Sequence, residues 1–267
     1  MVKSSEEYIK KNKTAWNDKT DHHYHSDFYD VAGFIKGKNS LNKIELDLLG
    51  DVSGKTILHL QCHFGMDSIS LSRMGAIVTG ADLSDKAIAR ANELTGQTNT
   101  TTEFICCDLY DLPGHLDKKF DIVFTSYGTI GWLPDMDKWA AIVSTYLNPG
   151  GKFIFADFHP VVWMFDDDFE KITYKYEKAD PIIETISGTY ADRFAPITTE
   201  TVSWNHSISE VLNNLIKHGL EITVFNEYDY SPYNCFNKTE EFEPGKFRIK
   251  HLENKIPMLY ALVAMKK

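Results

Sequence analysis

The stretch Lys55–Ser84 places the strongest limit on what this chain can fold into. It contains an apolar run, a turn, a short helical stretch, a second apolar run and then the acid Asp82. This order is typical of the first βαβ unit of a nucleotide-binding sheet, where ligands bind at the carboxyl ends of parallel strands. The first turn is unusual, because Gln61–Gly65 read Gln-Cys-His-Phe-Gly where a glycine-rich sequence is expected.

Five short apolar strands are predicted along the chain, with helical stretches between them. The predicted strands are Thr56–Leu60, Ile77–Ala81, Glu103–Cys106, Phe120–Thr125 and Phe153–Ala156. Such alternation indicates a parallel sheet that is covered on both faces. We therefore predict an α/β fold of the Rossmann-like, doubly wound type with helices on both faces.

We predict that residues 1–267 form a single domain with four parts. These are an N-terminal helical and lid segment (1–53), a cofactor-binding core (54–157), an insertion (158–206) and a C-terminal helix with strands (207–267). The insertion is rich in aromatic residues without a sustained period, which predicts a cap over the ligand edge. Ser4 and Glu7 have capping-box spacing for a first helix, and residues 17–30 are predicted to form an ordered loop.

Composition limits the partners and the compartment. The net charge of −10 disfavours binding to nucleic acid. The sequence has no run of about 18 apolar residues and no signal-peptide core at its start, so a membrane partner is not expected. The four cysteines form no CxxC pair, which favours a reduced, cytoplasmic protein.

The turn also narrows the class of cofactor. A P-loop requires GxxxxGK[ST], which is absent, and a dinucleotide site requires GxGxxG, where this chain has Gln61, His63 and Met66. S-adenosylmethionine carries no phosphate, so the single glycine Gly65 is sufficient for it. We therefore predict S-adenosylmethionine as the cofactor, with an NAD-dependent oxidoreductase as a weaker alternative.

Acids after the second and third predicted strands fit this cofactor. Asp82 is placed to accept hydrogen bonds from both ribose hydroxyls, and Asp108 is placed to accept one from the adenine amino group, beside Leu109. Ser126 and Tyr127 follow the fourth strand and are expected near the methionine portion. The predicted cofactor-binding residues are Gln61, Cys62, His63, Gly65, Asp82, Leu83, Cys107, Asp108, Leu109, Ser126 and Tyr127.

Five motifs in this order resemble those of class I S-adenosylmethionine-dependent methyltransferases. They are ILHLQCHFG, AIVTGADLS, CCDLYDLP, FDIVFTSYG and LNPGGKFIFADF. LQCHFG, in place of the usual glycine-rich motif, is similar to a bacterial branch of that superfamily. The resemblance implies a seven-stranded sheet with an antiparallel last strand and a cofactor that lies across strands 1 to 4. The chain departs from the pattern at His59, which replaces an acid, and at Gln61 and His63. Gln61 is a candidate to bind the methionine carboxylate, and His63 is a candidate either for the same contact or to point to the active site.

The implied reaction is a direct in-line displacement onto a small-molecule acceptor. His159 is a candidate general base because its unperturbed pKa is near neutrality; the alternative is a histidine hydrogen-bonded in a turn before Pro160. Tyr127 is the second catalytic candidate, because an aromatic face stabilises a sulfonium. Trp132 is expected to pack at the sheet edge, and Trp16 or Tyr24 is a candidate lid over the cofactor.

Two alternatives concern catalysis and metals. A non-catalytic S-adenosylmethionine-binding sensor or scaffold would carry the same motifs as an enzyme. His22, His23 and His25, and the acid run Asp166–Asp168, suggest metal sites, but the polar loop and the solvated turn expected there favour neither. We predict no bound metal.

Overall fold

A seven-stranded sheet forms the centre of the computed structural model, which describes residues 5–267. Its strands are β1 (Thr56–Leu60), β2 (Ile77–Asp82), β3 (Glu103–Cys106), β4 (Phe120–Ser126), β5 (Leu147–Phe158), β8 (Leu220–Tyr228) and β11 (Leu259–Lys266). Their order is β3-β2-β1-β4-β5-β11-β8. Strands β1 to β5 pair in parallel, and β11 is antiparallel to both β5 and β8. The predicted mostly parallel sheet with an antiparallel last strand is confirmed.

Helices cover both faces of this sheet, as predicted. They are α1 (Ser5–Tyr24), α2 (Val31–Ile35), α3 (Lys43–Leu49), α4 (Met66–Arg73), α5 (Asp85–Thr98), α6 (Met136–Tyr146) and α7 (Ile208–Lys217). On one face, Leu71 of α4 packs with Ile57 of β1. On the other face, Trp139 of α6 packs with Phe155 of β5, and all four of these side chains are fully buried. Burial on both faces explains why these strands are continuous apolar runs.

Helix α1 is longer than the sequence indicates. It continues to Tyr24, so the loop predicted for residues 17–30 is wrong over 17–24. Residues 17–24 were not predicted as helix because most of their buried side chains are polar: Lys19, Thr20 and His23 are buried there, and apolar periodicity does not detect such a face. The capping role predicted for Ser4 lies outside the described residues.

The insertion and the segment after β8 each contain a β-hairpin. Strands β6 (Ile182–Ser187) and β7 (Thr198–Ser203) pair antiparallel, and so do β9 (Thr239–Glu243) and β10 (Lys246–Ile249). Asn12 of α1 joins β7 through two hydrogen bonds: its Nδ2 donates to Val202 O at 2.7 Å, and its Oδ1 accepts from Val202 N at 2.9 Å. Helix α1 and the β6–β7 hairpin, called the cap hairpin below, are therefore directly linked. Over residues 5–267, no helix has both the length and the apolar character needed to cross a membrane.

Candidate functional site

A cavity of about 830 Å³ lies at the carboxyl ends of β1 to β4. This volume is within the roughly 300–1,000 Å³ range of small-molecule sites. Its wall includes the turn after β1, the ends of β2 and β3, the loop after β4, part of α1 and part of the insertion. Each of the eleven predicted cofactor-binding residues lines it. Their individual contacts to a cofactor stay a prediction.

The turn after β1 depends on left-handed backbone conformations. Gln61, His63 and Gly65 have φ values of 54°, 50° and 78°. A Cβ atom on Gly65 would stand 2.4 Å from the Phe104 ring, which is far inside van der Waals contact. Glycine is therefore required here by backbone conformation and by packing against β3.

Three backbone N–H groups of this turn already donate to the protein. Cys62 N donates to Ala81 O at 3.0 Å, His63 N to Asp82 Oδ2 at 2.8 Å and Gly65 N to Cys62 O at 2.9 Å. A pyrophosphate site relies on free N–H groups at this position. The turn therefore suits a ligand without phosphate at this end.

Side-chain atoms of the same turn remain unsatisfied. Gln61 Nε2 donates to Thr129 O at 2.8 Å, but its Oε1 is buried without a partner among the described residues. His63 Nε2 lies 3.0 Å from His23 Nδ1, while His63 Nδ1 is likewise buried and unpaired within residues 5–267. Burial lowers the pKa of His63 to about 3, so its imidazole is neutral near pH 7. Unsatisfied buried polar atoms are rare, and they are typical of a site that a ligand or water completes.

The two predicted adenosine-binding acids have both structural partners and spare acceptor capacity. Asp82 accepts from the N–H groups of His63 and Ser84, the latter at 2.9 Å. Asp108 Oδ1 accepts from Tyr110 N at 3.0 Å, and its Oδ2 has no partner in the described part of the chain. Burial raises the pKa of both carboxyl groups, and the backbone hydrogen bonds oppose that rise. Because each carboxylate oxygen has two acceptor positions, capping and ligand binding are compatible.

The wall between these acids is apolar. Leu109 is buried against Cys107 in the main core, and Leu83 lines the same part of the cavity. Burial raises the pKa of the Cys107 thiol to about 12, so this group is a neutral thiol in the wall. The surface suits the face of a planar base more than a charged group.

Asp157, at the end of β5, shapes the loop after β4. Its carboxylate accepts from the N–H groups of Gly128, Thr129 and Ile130 at 2.5, 3.1 and 3.3 Å. Burial raises the Asp157 pKa, and these donors act in the opposite direction. No sequence pattern indicates this role, because Asp157 lies just beyond the predicted strand Phe153–Ala156 and the loop it holds lies about 28 residues earlier in the chain.

A second group that sequence reasoning missed lies behind Tyr127. Tyr127 Oη donates to Glu45 Oε2 at 2.5 Å, and Glu45 Oε1 accepts from Asn42 N at 2.6 Å. Glu45 is fully buried. Burial, and to a smaller extent the nearby charge of Asp67, raises the pKa of the Glu45 carboxyl group to about 7. Asp67 also lines the cavity, where Ser126 Oγ donates to it at 3.3 Å.

His159 lies outside the wall of this cavity. Its Nδ1 accepts from Val161 N at 3.2 Å, and its Nε2 lies 3.0 Å from Glu227 Oε1. Nδ1 therefore holds a turn and Nε2 reaches strand β8, and the side chain is buried. This geometry favours the structural alternative for His159 over the general-base role.

The N-terminal helix contributes directly to the cavity. Trp16 lines it and contacts Trp132 edge to face at 5.4 Å, while Tyr24 packs on Phe64 instead, at 5.7 Å. Of the two lid candidates, only Trp16 is thus placed at the site. Lys19 of the same helix also lines the cavity, and no sequence signal indicated it. Within residues 5–267, no cluster of three His, Cys, Asp or Glu side chains is placed to hold a metal ion.

Comparison with known proteins identifies this architecture. Solved structures with the same fold include an S-adenosylmethionine-dependent methyltransferase from Mesorhizobium loti, which is 21% identical with a TM-score of 0.58 over 87% of this chain and 100% of that one. Another is DhpI in complex with SAH, which is 20% identical with a TM-score of 0.56 over 98% and 99%. The fold is that of the S-adenosylmethionine-dependent methyltransferases.

Sequence comparison agrees with the fold. Residues 57–151 match the family described as "Methyltransferase domain". A ubiquinone biosynthesis O-methyltransferase of Coxiella burnetii is 29% identical over 133 residues, which span 49% of this chain and 56% of that relative. The matched part is thus little more than half of the relative's length. Over residues 57–151 the chain is therefore similar to methyltransferase domains, in agreement with the resemblance of its motifs.

Proposed function

We propose that this protein is an enzyme that transfers a methyl group from S-adenosylmethionine to a small-molecule acceptor. One observation carries the proposal: Asp82 and Asp108, with spare acceptor capacity, line the same cavity as a turn in which the N–H groups of Cys62, His63 and Gly65 already donate to the protein. That combination suits an adenosine whose other end has no phosphate. The methyltransferase domain and its fold support the same cofactor.

The residues present fit S-adenosylmethionine. Asp82 would accept from the ribose hydroxyls, and Asp108 would accept from the adenine amino group beside Leu109. Gln61 and His63 would face the methionine portion with the polar atoms that lack partners. When bound, this cofactor supplies a methyl group on a positively charged sulfonium.

Tyr127 is the residue of the wall best placed to serve the acceptor. Its hydroxyl is held by Glu45, whose pKa of about 7 suits a proton acceptor near neutral pH. A methyl acceptor that loses a proton can give it to Tyr127 Oη, while Tyr127 passes its own proton to ionised Glu45 at Oε2. The chain otherwise aligns the two reactants and excludes water.

The acceptor side of the cavity favours a small molecule with an apolar or aromatic body. Phe158, Trp163, Tyr233 and Phe236 line it, and such walls are typical of small-molecule pockets. The net charge of −10 supports an acceptor other than nucleic acid. Free thiols at all four cysteines support a cytoplasmic location.

Calorimetry and a methylation assay test this proposal. We expect purified protein to bind S-adenosylhomocysteine, and to bind NAD much more weakly or not at all. With radiolabelled S-adenosylmethionine and a small-molecule extract, we expect a labelled product together with S-adenosylhomocysteine. Binding without any labelled product would favour the sensor alternative, and preferential binding of NAD would contradict the proposal.

A further inference from the structure

Lys19 presents a buried positive charge to the cavity. The residue is only 5% exposed, although it lines the cavity wall. Its Nζ lies 5.3 Å from the centroid of Trp16 and 5.6 Å from that of Trp132. Aromatic faces attract a cation only modestly, and Lys19 has no hydrogen-bond acceptor or carboxylate partner among residues 5–267.

The titratable groups beside Lys19 do not neutralise it. They are His23 on the same helix and His63 in the turn after β1, and burial lowers their pKa values to about 2 and about 3. Both imidazoles are therefore neutral near pH 7. A buried ammonium without a counter-ion is unfavourable, and burial lowers the Lys19 pKa to about 8. An anionic ligand group at this position would remove that penalty.

The position of Lys19 along the sheet edge indicates which part of the proposed cofactor it faces. Asp108 lies just beyond β3 and Asp82 ends β2, on the adenosine side. Trp132 lies in the loop after β4, on the opposite side of β1. Trp16 contacts His63 at 5.3 Å, which places this part of α1 over the turn after β1. The Lys19 ammonium thus lies at the methionine end.

We propose that Lys19 binds the carboxylate of the methionine portion of S-adenosylmethionine. This inference rests on the function proposed above. The methionine end carries a single anionic group, and the turn N–H groups of Cys62, His63 and Gly65 are already engaged. The counter-charge therefore comes from the N-terminal helix, which lies outside the matched domain of residues 57–151.

Two ligands that differ at this end test the assignment by calorimetry. S-adenosylhomocysteine carries the carboxylate, whereas 5′-methylthioadenosine has the same adenosine and a thioether but no amino acid group. Lys19→Met should weaken binding of S-adenosylhomocysteine about ten- to a hundredfold, since hydrogen bonds to charged groups are the strong ones. Binding of 5′-methylthioadenosine should change less than about twofold, which also shows that the variant is folded.

Lys13→Met provides the matched control. Lys13 lies on the same helix, but its ammonium pairs with Asp85 at 3.1 Å outside the cavity, so both affinities should stay at wild-type values. A second readout is proton uptake. At about pH 9, above the Lys19 pKa of about 8, wild-type protein should take up more protons on binding S-adenosylhomocysteine than Lys19→Met does. The variant is the reference because the amino group of the ligand titrates in both cases.

The outcomes separate this inference from the proposed function. If Lys19→Met binds S-adenosylhomocysteine as tightly as wild type, the carboxylate assignment is wrong and the methyltransferase proposal stands. If the variant loses both ligands equally, Lys19 supports the cavity in general and the assignment is again wrong. If wild-type protein binds neither ligand, the proposed function itself fails.

Discussion

The two ends of the proposed cofactor site are built in different ways. At the adenosine end, Asp82 is the last residue of β2 and Asp108 lies just beyond β3, so parallel pairing alone brings them to one edge. At the methionine end, Lys19 and His23 of α1 meet His63, which lies about 40 residues away from His23 in the chain. Groups positioned by strand ends can be located from motifs, whereas groups positioned by the docking of a separate helix cannot.

The comparison extends to electrostatics. The adenosine end offers carboxylate oxygens that already accept backbone N–H donors. The methionine end offers one buried ammonium and two neutral imidazoles. The cavity thus has acceptors where a ribose and an adenine amino group would donate, and a positive charge where a carboxylate would lie.

The largest effect is expected at the adenosine end. Asp82→Ala should weaken S-adenosylhomocysteine binding at least a hundredfold, because two hydrogen bonds to a charged group contribute about 3 kcal/mol or more. Asp121→Ala is the control: this acid accepts from Thr56 at the amino end of β4, away from the cavity. Calorimetry measures the affinity of both variants for S-adenosylhomocysteine, and far-UV spectra check that both are folded. Equal affinity for Asp82→Ala and wild type would remove the ribose assignment.

The turn after β1, at the methionine end, should be sensitive to the size of the side chain at position 65. Gly65→Ala places a Cβ 2.4 Å from Phe104 at a φ of 78°, which we expect to destabilise the fold by about 3–4 kcal/mol. Gly96→Ala, in α5 with nothing within 4 Å, should be neutral or stabilising by up to about 1 kcal/mol. Urea unfolding compares the two. Similar stabilities would show that the turn tolerates a side chain.

Glu45 behind Tyr127 should make stability depend on pH. Its folded pKa of about 7 exceeds the ordinary value of 4.5, so the native state binds more protons than the unfolded state between these pH values. The free energy of unfolding should therefore fall as pH rises through this window. Glu45→Gln cannot ionise, so it should gain up to about 3 kcal/mol relative to wild type between pH 4.5 and 8. Urea unfolding across this range measures the difference, and a pH-independent difference would contradict the buried acid.

Sequence patterns located the sheet well and the polar contacts poorly. Strand β1 has the predicted bounds, because a strand buried on both faces is an uninterrupted apolar run. The edge strand β3 also has the predicted bounds, although its end residues Glu103 and Cys106 are exposed. Glu45 has no sequence signal of its own, since it is an acid among the apolar residues of α3. Its contact with Tyr127 joins residues 82 positions apart, and no local pattern encodes such a pair. For His159 the sequence suggested a role that the geometry does not favour. The near-neutral pKa of a histidine makes it a candidate base, but it does not indicate which way the ring faces, and His159 lies outside the cavity wall.

The link between Asn12 and Val202 has a consequence for the integrity of the cap. One edge of β7 pairs with β6, and on its other side the Asn12 amide supplies a donor and an acceptor, as a neighbouring strand would. Exposed strand edges are templates for association between chains. Removing helix α1 would therefore leave the backbone N–H and C=O of Val202 unpaired at the edge of β7, and it would also open the cavity. The helix that carries Lys19 thus also protects the β6–β7 hairpin from self-association.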